Sequence, residues 1–201
     1  MKCDLVLCDI GGVVLDLESE RLIHQMAQVL ACPFEEISTA IYDDQLLLPL
    51  ELGRISPQQY YDSLTAKLRL PWSFEQFSGA WNGVLIENPA VVRILERLGR
   101  AHRLVALTNT NVLHLAHIKA TFPSLAVFQG WIASCEVGCR KPDPAIYRLA
   151  VDRCGVPAHA AVYIDDRPEM VQAGRAAGLS AVRFENDRQL EQALGALGLA
   201  V

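Results

Sequence analysis

The stretch Leu7-Cys8-Asp9-Ile10-Gly11-Gly12-Val13-Val14-Leu15-Asp16 (LCDIGGVVLD, residues 7–16) decides the reading of this chain. An apolar run, Leu5-Val6-Leu7-Cys8, stops at Asp9. Two glycines and a second apolar run then lead to Asp16. An unbroken apolar segment suits a strand covered on both faces, as in a parallel sheet. A carboxylate at the end of such a strand, ahead of a glycine turn, stands where open α/β sheets bind their ligands.

Working outward, three more runs read as buried strands: 103–107, 161–164 and 180–184. Helical patterns separate the later ones. Asn88 and Pro89 open a helix over 89–99 that repeats Val91, Val92, Leu95 and Leu98, the order expected of an N-cap followed by proline at the first helical position. Segments 143–153 and 168–177 read the same way, the second closing on Gly178. This alternation predicts a doubly wound, Rossmann-like α/β core with a parallel sheet. Residues 19–87 have another texture: helical stripes and no convincing strand. Leu22, Ile23, Met26 and Leu30 form one stripe; Ile37, Ala40 and Ile41 begin another. Ser56-Pro57 and Ser73 open two more. The division expected is a core of 1–16 and 88–201 with an inserted α-helical cap at 17–87.

Composition bounds the function. The chain has 201 residues, 51% hydrophobic and 20% charged, enough to bury a core. A net charge of -5 with no basic tract argues against nucleic acid, whose backbone needs clustered Lys and Arg. No apolar stretch approaches the ~18 residues of a membrane span, and Met1-Lys2-Cys3-Asp4 reads as neither signal peptide nor anchor. The six cysteines (3, 8, 32, 135, 139, 154) read as reduced thiols, and Cys135 and Cys139 lack the further ligands of a zinc site. A cytoplasmic protein, monomer or homodimer, is expected.

Three strands end in residues suited to chemistry. The first delivers Asp9, the second Thr108-Asn109-Thr110-Asn111, and the third Asp165-Asp166, while Arg140-Lys141-Pro142 supplies adjacent cations. Taken singly, each has a plain structural explanation as a turn, a cap or a loop. Their order at the ends of successive strands is what adds weight.

The ordered set Asp9-Ile10-Gly11-Gly12-Val13, Thr108-Asn109, Lys141-Pro142 and Asp165-Asp166 resembles the four motifs of the haloacid dehalogenase-like hydrolases. "TNTN" (108–111) and "GCRKPDPAIY" (138–147) are similar to the small sugar-phosphate phosphatases of that superfamily and to the phosphatase domain of soluble epoxide hydrolases. The resemblance implies a phosphomonoester hydrolase with Asp9 as nucleophile, working through an aspartyl-phosphate. It implies Mg²⁺ held by Asp9, the Gly11 carbonyl, Asp166 and Asp165, the last as ligand or as support to one. Thr108 and Lys141 would hold and neutralise the phosphoryl group, with N–H groups of Gly11, Gly12 and Asn109 completing the cradle; Asn109 has a second reading as an orienter of its loop. The substrate implied is a small phosphorylated metabolite, with sugar phosphate ahead of nucleotide.

One position departs from the pattern. The family's second acid, which protonates the leaving oxygen, is replaced by Gly11, and losing a positioned acid typically costs ~10²–10⁴-fold in rate. Asp16, His114, Glu51, Tyr60 and Trp81 are candidate substitutes, with Asp16 read rather as shaping the turn and His114 as structural. The alternatives are a phosphate-binding pseudo-hydrolase or interaction domain with little turnover, a phosphotransferase, or a haloacid dehalogenase; the last leaves the acid pair 165–166 unused. A receiver domain shares the strand-end acids and lysine but has no place for the insert. Glu51, Arg54, Gln58, Tyr60, Trp81 and Asn82 are the expected polar and aromatic lining of a sugar-sized pocket, most of the aromatics serving as packing within the insert.

Overall fold

A computed structural model describes residues 3–199; Met1, Lys2, Ala200 and Val201, and with them the first residues of the amino-terminal reading and the outer limits of the expected core, lie outside the described residues. Five strands form one parallel sheet: β1 (Leu5–Cys8), β4 (Arg103–Thr108), β5 (Gly130–Ala133), β6 (Ala161–Asp165) and β7 (Ser180–Arg183), in the order β5-β4-β1-β6-β7. β1 is the central strand, and Cys8 pairs with Ala106 on one side and Ile164 on the other. Its run is apolar because both faces are covered. Val6 and Cys8 pack into one hydrophobic cluster, while Leu5 and Leu7 pack into the other.

Helices α6 (Pro89–Leu98), α7 (Val112–Thr121), α8 (Ser134–Val137), α9 (Pro144–Cys154), α10 (Pro168–Ala176) and α11 (Asp187–Ala196) flank the sheet. Asn88 caps α6 by accepting from the N–H groups of Ala90 and Val91. Arg167 precedes α10, and its N–H is held by the Asp165 side chain.

Two short elements escaped the sequence. β2 (Leu15–Leu17) and β3 (Leu85–Glu87) form an antiparallel ribbon at the base of the insert, so the expectation of no strand within 19–87 is corrected. Three residues are too few to show an alternating pattern, and Gly130-Trp131-Ile132-Ala133 (β5) is little longer.

Between β2 and β3 stand five helices, where four stripes were legible: α1 (Ser19–Leu30), α2 (Phe34–Ile41), α3 (Asp44–Glu51), α4 (Pro57–Leu68) and α5 (Phe74–Asn82). Capping boxes at Ser56/Gln59 and Ser73/Gln76 start α4 and α5 where expected. The extra helix, α3, carries Pro49 in its interior and little helical stripe, which hid it. Its C-terminal turn reaches the core. Gly53 has φ +67, and a Cβ there would lie 2.2 Å from the Cys135 carbonyl oxygen of α8. Only glycine permits that approach.

All six cysteines are free. Among the described residues no helix is long and apolar enough to cross a membrane.

Candidate active site

The backbone of the parallel sheet places the acids. Asp9 follows the last residue of β1, its N–H donating to the Ile164 carbonyl of β6 at 2.9 Å. In this register Asp9 stands level with Asp165, the last residue of β6, and Thr108 closes β4 on the other side. One oxygen of Asp9 accepts from the Ile10 N–H at 2.8 Å, and the other meets Lys141 Nζ at 2.8 Å.

Lys141 is the hub. It is 1% exposed, and its Nζ also donates to Asp165 at 2.7 Å. A charged amine survives burial only beside opposite charge, and here two carboxylates hold its pKa above the ordinary lysine value against the pull of burial. The main chain at Lys141 is fixed as well: the Asn109 side chain donates to its carbonyl and accepts from its N–H, both at 2.8 Å. Asn109 thus ties the β4 loop to the lysine loop. Thr110 is tied likewise, its N–H and carbonyl both bonded by Ser134 Oγ at 3.0 Å. Asn111 caps α7 through the His114 N–H.

The acid pair divides its labour. Asp165 is fully buried and both its oxygens are engaged, one by Lys141 and the Tyr163 hydroxyl, the other by the Arg167 N–H at 2.9 Å. Tyr163 was not legible as a site residue, because a tyrosine inside a strand reads as core. Asp166 is less buried and faces Gly12, where a Cβ would come within 2.6 Å of its Oδ2. Gly12, at φ +78, therefore supplies both the turn and the room for that carboxylate. Asp9, Asp165 and Asp166 bring ligand oxygens within 4.8 Å of one another. Burial pushes the Asp9 and Asp166 carboxyls above the usual range, with Asp165 adding to the rise in each. Three acids against one lysine leave negative charge uncompensated. An all-oxygen donor set with this excess fits a hard divalent cation such as Mg²⁺. Asp9, with one partner on each oxygen, and the less buried Asp166 have more room to hold it than Asp165, whose two oxygens take three donors and anchor Lys141 beside them.

A cavity of about 160 Å³ opens over this rim, bordered on the core side by Ile10, Gly11, Thr108 and Asn109. Glu51, His114 and Trp81 line it; Arg54, Gln58, Tyr60, Asn82 and Asp16 do not. Tyr60 is buried in the insert, donating to the Ile41 carbonyl at 2.7 Å and stacked near Phe77 and Trp81. Asp16 is exposed on β2. His114 places Nε2 2.9 Å from the Trp81 carbonyl, and burial lowers its pKa to about 4, so it is a neutral imidazole tying α7 to α5. Glu51 lies 2.7 Å from Arg140, the neighbour of Lys141, and burial raises its carboxyl.

Comparison with known proteins agrees with this geometry. The fold matches a HAD-family enzyme of Bacteroides thetaiotaomicron with a TM-score of 0.83 at 24% identity, over 92% of this chain and 95% of that one. A structure of that enzyme with magnesium and inorganic phosphate matches at 0.82 and 25% identity, over 91% and 94%. A HAD-like hydrolase of Porphyromonas gingivalis gives 0.83 at 25% identity over 98% of both chains. Among curated relatives, flavin mononucleotide hydrolase 1 of Arabidopsis thaliana is 37% identical over 78 residues, 38% of this chain and only 32% of that protein. A sesquiterpene phosphatase of Aspergillus oryzae is 27% identical over 135 residues, 64% of this chain and 67% of its own. A family model for haloacid dehalogenase-like hydrolases matches residues 73–178, more than half the chain. On that match, and with Lys141 and the two strand-end acids where β1 and β6 put them, this chain belongs to the haloacid dehalogenase-like hydrolases.

Proposed function

We propose that the chain is a Mg²⁺-dependent phosphomonoester hydrolase in which Asp9 is the nucleophile and residues 17–87 act as a cap. The observation that carries the reading is the Asp9–Lys141–Asp165 cluster beside Asp166, which does not itself line the cavity but lies next in the chain to Ile10 and Gly11, which do. One Asp9 oxygen attacks phosphorus while the alkoxide departs, giving an aspartyl-phosphate that water cleaves to regenerate the carboxylate. Lys141 neutralises charge on Asp9 and on the phosphoryl oxygens, and Thr108 donates to one of them; such preorganised charge is worth most in a buried site. Asp9, Asp166 and the Gly11 carbonyl would hold a Mg²⁺, which would supply further charge neutralisation. The relative crystallised with magnesium and phosphate and the two curated relatives named as a hydrolase and a phosphatase support this. Free thiols throughout support a cytoplasmic setting.

The substrate is a small phosphorylated metabolite. A sugar phosphate would call on the polar insert side chains Arg54, Gln58 and Asn82, and these stand outside the cavity. Gly11 favours a second reading, a phosphate-binding module with little turnover. Phosphate release from a panel of esters, with and without Mg²⁺, separates the two. We expect metal-dependent release that Asp9→Asn abolishes; folded wild-type protein that releases nothing would leave the binding module standing.

A further inference from the structure

We propose that the alcohol esterified to phosphate is apolar, an aromatic or branched-alkyl group rather than a polyol. The inference rests on the phosphatase reading and deepens it. Across from the phosphate rim the cavity wall is built from Leu17, Leu22, Ile23, Ile41, Leu47 and Leu85, with Trp81 beside them. Leu17 and Tyr42, both in the lining, remain 48% and 46% exposed. A concave, mostly apolar lining with few polar groups is what an apolar ligand group requires.

The polar side chains around the cavity are largely committed elsewhere. Asn109 clamps the Lys141 main chain, Asn111 caps α7, His114 is turned to the Trp81 carbonyl, and Glu51 is paired with Arg140. The polar groups that remain on the insert wall are the Ser19 and Tyr42 hydroxyls, the Trp81 Nε1–H and the Glu51 oxygen ion-paired with Arg140, the last two buried without a hydrogen-bond partner, too few for the hydroxyls of a sugar. A sugar would bring several hydroxyls into this space and leave most of them without partners, at a cost for each. An apolar group instead exchanges water for leucine and isoleucine, and each CH₂ so buried strengthens binding about fourfold.

Benzyl phosphate and glucose 6-phosphate are both esters of primary alcohols, so comparing them isolates the wall from leaving-group chemistry. The expected result is a kcat/KM at least tenfold higher for benzyl phosphate. Leu17→Gln and Tyr42→Gln, both at half-exposed positions, should each raise its KM several-fold and narrow the preference. Equal or better turnover of glucose 6-phosphate overturns the inference. If neither ester releases phosphate, it is the phosphatase reading that fails. Binding then decides: benzylphosphonate quenching the protein's tryptophan fluorescence at lower concentration than methylphosphonate, an effect lost in Trp81→Phe, supports the apolar ligand, and equal binding refutes it.

Discussion

The two walls of the cavity are built on opposite principles. Behind the core side, whose surface is Ile10, Gly11, Thr108 and Asn109, charged groups are buried and tied down: Lys141 by four contacts to Asp9, Asp165 and Asn109, Asp165 by three donors. On the insert side the lining is leucine and isoleucine, whose contacts have no direction. A charged site works only if its geometry is fixed in advance, which rigid strand ends provide. An apolar wall tolerates exchange of one side chain for another of similar volume. The chemistry therefore sits where the backbone is least able to change, and recognition sits where it can.

The sharpest way to break this contrast is to remove Lys141. In Lys141→Met, Asp9 and Asp165 face each other with no cation between them, and breaking such a buried pair typically costs about 3–5 kcal/mol. We expect a loss of that size in urea denaturation, together with loss of at least a thousandfold in phosphate release. Ile41→Val, on the apolar wall, should cost about 1 kcal/mol and change release less than threefold. Comparable losses in the two variants would dissolve the distinction.

The two walls also differ in how far the sequence revealed them. Asp9, Thr108, Lys141 and Asp165–Asp166 could be found because each sits at the end of an apolar run or in a short polar loop, and parallel strands bring such ends together. Tyr163 and Ser134 were hidden, since nothing in sequence distinguishes a buried tyrosine that bonds an acid from one that only packs. The insert was legible as helices through its apolar stripes and its serine caps, yet its pocket was not. Periodicity tells which residues are apolar along a helix, but not whether they face a neighbouring helix or an open cavity. Tyr60 and Leu22 lie on equally good stripes; Tyr60 fills the insert core, while Leu22 lines the chamber.

The seam between the walls offers the next test. Gly53→Ala sets a Cβ against the Cys135 carbonyl at 2.2 Å and forces a left-handed φ on a residue that disfavours it. Strain of this kind costs about 1–3 kcal/mol. The variant should lose that much in thermal or urea denaturation, and its KM should rise as α3 is displaced from α8 and Glu51 from Arg140. Unchanged KM in a stable protein would show that the seam does not shape the cavity.

A smaller effect, and of opposite sign, is expected from Gly11→Asp. The atoms nearest its new Cβ belong to the Leu17 side chain, Cδ1 at 3.0 Å, and Leu17 is exposed enough to swing aside. The substitution places a carboxyl beside the leaving oxygen, where a well-positioned acid contributes ~10²–10⁴-fold. Without the neighbours that would tune it, about tenfold is expected in kcat for benzyl phosphate, and less for p-nitrophenyl phosphate, whose leaving group needs no proton. Equal change with both esters would show that the added charge acts some other way.

The smallest effect joins the walls through His114. Its folded-state pKa, about 4, lies below the ordinary 6.5, so between those values the unfolded chain binds the proton that the folded chain refuses. Stability contributed by the neutral imidazole is therefore complete above pH 6.5 and declines as pH falls toward 4. A shift of this size would amount to about 3 kcal/mol if the ring were wholly shielded; lining a cavity, it should yield about 1 kcal/mol. His114→Gln keeps a donor for the Trp81 carbonyl and has no proton to gain. Denaturation midpoints of the two proteins should converge as pH is lowered from 7 to 4.5, the wild type falling faster. Parallel curves would mean that the ring takes up its proton alike in the folded and unfolded chains, and that its burial between α7 and α5 does not hold it neutral.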